Sequence, residues 1–139
     1  MTEADLQTKF SRWLRHYVNF PIAYELKISK SNRLPFNRLL DHQRVALQKA
    51  KHGTLCYKIP DSGMALKPFD GFCLTQVPSM VGIMFYTARG ENRIYMVDID
   101  DFVYESTLSA SITRERASAI AWRTIELGVV PQLDLVSEV

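Results

Sequence analysis

Residues 23–29, Ala-Tyr-Glu-Leu-Lys-Ile-Ser, alternate between apolar and polar side chains in a way that predicts a β-strand. With a period of two, Tyr24, Leu26 and Ile28 point to one face and Glu25, Lys27 and Ser29 to the other, roughly 6.5–7 Å between like-facing neighbours. One face therefore needs an apolar layer against it. The other presents an acid, a base and a hydroxyl in a row. Any fold for this chain has to place a core on one side of this strand and account for Glu25 and Lys27 on the other.

Helical patterns lie on both sides of the strand. Thr2 followed by Asp5 forms a helix-capping pair, after which Leu6, Phe10, Trp13, Leu14 and Tyr17 recur at helical spacing, while Lys9, Arg12, Arg15 and His16 fill other positions. Asn19 and Pro21 close that helix. After the strand, Lys30 to Pro35 reads as a basic, turn-rich loop. A second helix is expected from a cap near Asn37 to Gly53, with Lys49, Lys51 and His52 in its last turn. Its apolar stripe is Leu39, Leu40, Ala46, Leu47 and Ala50. Gln43 falls inside that stripe, one turn after Leu39 and one before Leu47, and a polar side chain there must find a partner.

Downstream, the pattern predicts strands at Thr54 to Ile59, Phe69 to Thr75, Met80 to Tyr86 and Arg93 to Val97. Turn chemistry at Pro60-Asp61-Ser62-Gly63 and Ala88-Arg89-Gly90-Glu91-Asn92 suggests a largely antiparallel meander. Asp98 to Tyr104 is read as a short helical turn whose acids Asp98, Asp100 and Asp101 cap it rather than bind metal. Thr113 to Leu127 is read as a last helix, packing through Ile112, Ala119, Ala121, Trp122 and Ile125, closed by Gly128 and Pro131 and followed by a loosely held tail.

At 139 residues the chain suits one domain, spanning residues 1–139, with apolar content sufficient for a single core. A net charge of +2 does not by itself identify a polyanionic partner. Cys56 and Cys73 lie in strand-like apolar runs, which reads as small core residues rather than a zinc site or disulfide framework. No signal-peptide pattern or bilayer-length apolar run is present, so a soluble protein of a reducing cytoplasm is expected, with no membrane partner.

The chemistry lies in three places. Divalent-metal cleavage of a phosphodiester needs hard oxygen ligands, water activation and positive charge near the phosphate. Glu25 and Asp70, in Lys-Pro-Phe-Asp-Gly-Phe, supply two carboxylates. Lys27 can orient water or neutralise charge, and Gln43 can position the water or support Lys27. The backbone carbonyl of Leu26 is a further candidate ligand, and Ser29 a weaker one. Each feature also has an ordinary reading. Glu-x-Lys is an ion pair on many exposed strands, Pro-Phe-Asp-Gly is turn chemistry, and a Gln in an apolar stripe is often bonded to backbone. Lys30, Arg33, Arg38 and Arg44 border the site, where they would contact phosphates or form a solvated edge. His42 would contact DNA or simply lie at the surface.

The order Glu25-Leu26-Lys27, a basic loop, Leu34-Pro35-Phe36, Asp41-His42-Gln43 and then Gly53 entering a strand resembles the second half of the RecU-type Holliday-junction resolvases of the PD-(D/E)xK nuclease superfamily. The likeness covers roughly residues 23–59 and resumes weakly at 80–103. The whole chain is also similar to small phage and prophage proteins that share Leu-Pro-Phe, His-Gln, Lys-Pro-Phe-Asp and an Asp-Ile-Asp type segment. In that superfamily the metal-binding Asp precedes the E-x-K strand, whereas here no acid lies between Asp5 and Glu25. The resemblance therefore implies a permuted site in which Asp70 converges on Glu25, or one completed by Glu3 or Asp5 from the first helix.

The resulting expectation is a single restriction-endonuclease-like α/β domain, a mixed central sheet flanked by helices. It would carry a Mg²⁺- or Mn²⁺-dependent endonuclease site acting on DNA, branched DNA included, as a homodimer in the cytoplasm, that of the host if phage-encoded. Two alternatives stand beside it. One is a noncatalytic DNA-binding module of the same fold. The other is a phage structural or regulatory oligomer using the helix that begins near Thr113, which exposed Trp122 and Ile125 would favour.

Overall fold

The computed structural model describes residues 1–61, 66–88, 90 and 92–127. The expected tail and its Gly128 and Pro131 stops, parts of both loops (Ser62, Gly63, Arg89 and Glu91) and the side chains of His16 and Tyr17 lie outside the description.

Helix α1 (Glu3–Tyr17) begins at the capping pair: Thr2 Oγ1 accepts from the Asp5 N–H at 3.2 Å and the Asp5 carboxylate accepts from the Thr2 N–H at 2.9 Å. Strand β1 (Ala23–Ser29) follows, then β2 (Arg33–Pro35), a 3-10 turn (Phe36–Arg38) and α2 (Asp41–His52). Next come β3 (Thr54–Lys58), β4 (Gly71–Thr75), β5 (Ser79–Phe85), β6 (Arg93–Asp98), α3 (Ile99–Ser106), β7 (Ser111–Thr113), α4 (Arg114–Ile120) and β8 (Arg123–Glu126). The main sheet is mixed, in the order β1-β5-β6-β8. Strand β5 is parallel to β1 and antiparallel to β6, and β6 is antiparallel to β8. The two further ribbons, β2–β7 and β3–β4, are separate from it.

The pleat sorts side chains to the two faces of this sheet. On the α1 face, Leu26 and Ile28 of β1, Met80 and Met84 of β5 and Ile94 and Met96 of β6 pack with Leu6 and Phe10. Gly82 makes room between these strands, since a Cβ there would come within 2.7 Å of Leu26 Cδ2 and 3.0 Å of Met96 Sδ. On the other face, Val81, Ile83, Phe85, Tyr95 and Val97 pack under Leu39, Leu47, Phe102 and Ala117. The polar side of β1 is on this second face, beneath α2, where Lys27 and Ser29 are buried and Glu25 is partly exposed.

Several expectations change. The four downstream strands do not form one meander: β3 and β4 make their own antiparallel ribbon, and β5 leaves it to pair in parallel with β1. The last helix stops at Ile120, and β8 occupies its expected C-terminal half. Arg123, Thr124, Ile125 and Glu126 alternate at strand period. Ile125 is buried opposite Ile94, and the Trp122 N–H donates to the Met96 carbonyl at 2.8 Å. Trp122 is exposed and Ile125 is not, so the two do not form a shared exposed patch. Helix α2 starts at Asp41 and not at Asn37, because the Gln43 side chain reaches back to the Leu40 N–H at 3.0 Å and fixes the first turn there.

Cys56 and Cys73 are not core thiols. They face each other in the β3–β4 register and form a disulfide. The apolar face of each strand is the opposite one, Leu55 and Tyr57 on β3 and Phe72 and Leu74 on β4, which leaves the cysteines exposed on the other side. The capping role of Asp98 holds: its carboxylate accepts from the Asp100 N–H at 2.8 Å at the start of α3. Among the described residues, no helix is long and apolar enough to cross a membrane.

Candidate active site

Two elements bring the central group together. Strand β1 projects Glu25 and Lys27 from one face two residues apart, and α2 lies over that face with Gln43 in its first turn. Gln43 Nε2 donates to Glu25 Oε1 at 3.1 Å, while Gln43 Oε1 is held by the Leu40 N–H. Both ends of the amide are thereby fixed, which also fixes which atom points at the carboxylate. Lys27 Nζ lies 3.5 Å from the same Glu25 oxygen. The second carboxylate oxygen takes part in neither contact.

Burial separates this group from an ordinary surface pair. The Lys27 side chain is 8% exposed and that of Glu25 26%. In the ladder Lys27 sits beside Ile83 and Glu25 beside Val81, two residues of the core. A lysine removed from water with its carboxylate at 3.5 Å gains little stability from the pair, because desolvation offsets most of the attraction. Charges kept in that position are concentrated at functional sites.

Glu25 and Gln43 open onto a groove of about 450 Å³. Its walls are Tyr24 on β1, His42 and Ala46 on α2, and Leu55, Phe72 and Leu74 on the β3–β4 ribbon. Strand β1 has a single neighbour in the sheet, so alternate peptide groups along it, in the stretch that includes Leu26, point away from the ladder.

Asp70 is not part of this group. Its side chain is 92% exposed, pairs with Lys67 at 3.1 Å, and lines a second concavity with Asp61, which also pairs with Lys67. Its backbone carbonyl accepts from the Ile59 N–H, closing the ribbon. Gly71 beside it lies so close to β3 that a Cβ would approach the Tyr57 carbonyl oxygen to 2.6 Å. The N-terminal acids are committed elsewhere, Asp5 to the α1 cap and Glu3 to Arg38 at 3.0 Å. Among the described residues, no three His, Cys, Asp or Glu side chains are grouped as metal ligands.

Ser29 is buried but acts on the loop. Its Oγ donates to the Arg33 carbonyl and accepts from the Ser31 N–H, so it shapes the turn carrying Lys30. Lys30 and Arg33 are exposed. Arg38 donates to the Ile28 carbonyl at 3.2 Å as well as to Glu3, and Arg44 meets Gln48 at 3.1 Å.

A second ionic cluster was not legible in the chain. Lys51, near the end of α2, donates to Asp98 at 2.7 and 2.8 Å and to Asp100 at 2.6 Å, and His52 lies 2.9 Å from Asp100. Burial acts against both charges, yet the hydrogen bonds prevail: those from Lys51 and His52 hold the Asp100 carboxyl below its ordinary value, and those to Asp100 and Asp98 push Lys51 above its own. The signal available in the sequence was the Lys-His pair closing α2, read only as dipole complementarity.

No protein-family model matches the chain, and no curated protein or solved structure is detectably similar to it.

Proposed function

We propose that this domain is a divalent-metal-dependent DNA endonuclease of the PD-(D/E)xK type, with Glu25, Lys27 and Gln43 at its centre. The observation that carries the reading is Lys27: a lysine buried on the charged face of an edge strand, beside a part-buried carboxylate that a helix-borne amide holds in place.

In this reading a Mg²⁺ or Mn²⁺ ion would be held by one or two carboxylates, with water and substrate phosphate filling the remaining positions. Glu25 is one such carboxylate, with one oxygen outside the Gln43 and Lys27 contacts, and the Leu26 carbonyl is the nearest backbone donor in sequence. Asp70 is the second acid in this reading. It lies two residues before Phe72, which already walls the groove, and would have to exchange Lys67 for the site. The chemistry supplied by the bound ion is polarisation of the scissile phosphate and activation of a water. Lys27 contributes positive charge where charge builds on the phosphate, and Gln43 keeps Glu25 from turning away. Lys30, Arg33, Arg38 and Arg44 hold the backbone, which makes binding steeply salt-dependent and nearly independent of base sequence. Paired cuts in a branched substrate call for a homodimer with two-fold symmetry.

The test is cleavage of plasmid and four-way-junction DNA with Mg²⁺ or Mn²⁺ by the wild type, Lys27→Ala and Asp70→Asn. Loss of cleavage in both variants with DNA binding retained is the expected result. Cleavage by Asp70→Asn at the wild-type rate removes Asp70 from the site. A second reading, a DNA-binding module without catalysis, is favoured by the pairing of Asp70 with Lys67, and a wild type that binds but never nicks decides for it.

A further inference from the structure

Very little of the β3–β4 ribbon is buried. Of the five residues in each strand, only Leu55 and Leu74 are half-buried, and the others are exposed. Its ladder joins no third strand, and a two-stranded ribbon alone is marginal in water. The inner end is anchored to α2 and the residue that follows it. There the Gln76 N–H donates to the Gly53 carbonyl at 3.0 Å and the Val77 N–H to the Ala50 carbonyl at 2.9 Å. The outer end is closed only on itself, through the Ile59 N–H and the Asp70 carbonyl and through the exposed rings of Tyr57 and Phe72. The Cys56–Cys73 bridge is the middle register pair, between the anchored end and the open one.

What the bridge holds is a wall of the groove. Leu55, Phe72 and Leu74 line the groove onto which Glu25 and Gln43 open, whereas the two cysteines are exposed on the opposite face of the ribbon. A reductant therefore reaches the disulfide without entering the groove. Both cysteines also line the concavity of about 600 Å³ in which Lys67 pairs with Asp61 and Asp70. Lys58, exposed, lies on the cysteine face two residues from Cys56, about 7 Å along the strand. An ammonium there favours the thiolate that leaves when the disulfide is attacked. Exposed disulfides are the ones that exchange readily.

We propose that Cys56–Cys73 is a redox switch for the groove wall, operated by a dithiol reductant. A thiolate of the dithiol attacks one cysteine Sγ, the S–S bond breaks, and the released cysteine thiolate takes up a proton. The second thiol of the reductant then displaces the other cysteine from the mixed disulfide. Two electrons and two protons pass to the chain, leaving two cysteine thiols there and a disulfide on the reductant. In the oxidised form the bridge keeps β3 and β4 in register, and Phe72 in the wall. In the reduced form the outer half of the ribbon opens, because half-burial of two leucines does not hold it, while the inner end stays on α2. The switch does not depend on the nuclease reading.

The experiment uses the whole chain without denaturant. Wild type is treated with dithiothreitol, free thiols are counted by alkylation and mass, and hydrogen exchange is followed in peptides covering 54–58 and 71–75, with 79–85 of the main sheet as internal reference. Both cysteines should become alkylatable under these conditions. Exchange in the ribbon should rise on the order of 100-fold, the scale set by releasing a bridge across a separation of 17 residues, while β5 keeps its protection. Oxidised glutathione should restore slow exchange. Cys56→Ser/Cys73→Ser should exchange like reduced wild type and respond to neither reagent; if it does not fold, wild type reduced in place still makes the comparison. A bridge that dithiothreitol opens only in urea overturns the proposal. So does a ribbon that exchanges equally in both redox states, and so does loss of protection in β5 together with the ribbon, which would make the bridge a staple of the whole fold.

Discussion

Two lysines on the same side of the sheet show how differently the molecule uses a buried cation. Lys51 is tied to Asp98 and Asp100 by contacts of 2.6–2.8 Å, and its partners join the last turn of α2 to the first of α3. Lys27 is more deeply covered, yet its contact is one oxygen of Glu25 at 3.5 Å. The first arrangement offsets desolvation with several short charge-assisted bonds, and that is how a structural clamp works. The second leaves the ammonium one longer contact, to a carboxylate that itself opens onto the groove. Under the proposed function it is the degree of compensation, and not burial, that separates site from scaffold.

The largest expected effect tests the Lys27 side of that contrast. Lys27→Ala should lower kcat for DNA cleavage by on the order of 10²–10³-fold, the usual cost of removing a preorganised charge from a reaction centre. The double variant Lys27→Met/Glu25→Gln should lose activity equally while leaving stability unchanged or higher, because the pair is replaced without leaving either charge uncompensated. Kinetics and urea unfolding on the same preparations check both. A marked loss of stability in the double variant would make the Lys27–Glu25 pair a clamp like that of Lys51.

Gln43 joins the two roles and should show an intermediate effect. Gln43→Leu removes the acceptor for the Leu40 N–H and the donor to Glu25 together. The lost cap should cost about 1 kcal/mol, read by urea unfolding. The loosened carboxylate should lower kcat by about 10-fold with DNA affinity retained, since the residue acts through Glu25 and not on the DNA. A fall in stability with kcat unchanged would make Gln43 a helix cap only.

Much of this group could be read from the chain, because it depends on short-range periodicity. The strand at 23–29, the amphipathic α1 with its Thr2–Asp5 cap, and Gln43 as a polar residue needing a partner all follow from spacing within a turn or a strand. What the chain did not disclose depends on pairing across distance. Residues 123–126 read as the end of the last helix, and only the pairing with Met96 and Ile94 shows them to be a strand. Cys56 and Cys73 lie in apolar runs, and only the ribbon's register shows that the cysteine face is the exposed one. Convergence of Asp70 with Glu25 was argued from residue type and order; the ribbon instead directs Phe72 to the groove and leaves Asp70 with Lys67. Lys51 and Asp98 each matched a helix-terminus rule, and nothing in either segment indicates that the two termini meet.

The smallest expected effect concerns that meeting. Lys51→Ala should leave cleavage unchanged and cost about 1 kcal/mol of stability, a figure kept low because the cluster is partly exposed and screened by solvent. Its pH dependence follows from the two shifts. Asp100 titrates below the ordinary 3.8 when folded, so its contribution is present above that value and is lost as pH falls through the lower, folded value. Lys51 titrates above 10.5 when folded, so its contribution is complete below 10.5 and is lost as pH rises through the higher, folded value. Between those limits the gap between wild type and Lys51→Ala should be flat, and it should narrow at both extremes. Asp98 complicates the acid side, because it caps α3 whether or not Lys51 is present, and His52 still faces Asp100 in the variant. The alkaline limb is therefore the cleaner reading, since Lys51 is the group removed. Urea unfolding of both proteins from neutral pH to above 10.5 measures it, and a gap that widens with rising pH would show that the Lys51 cluster does not stabilise through its charge.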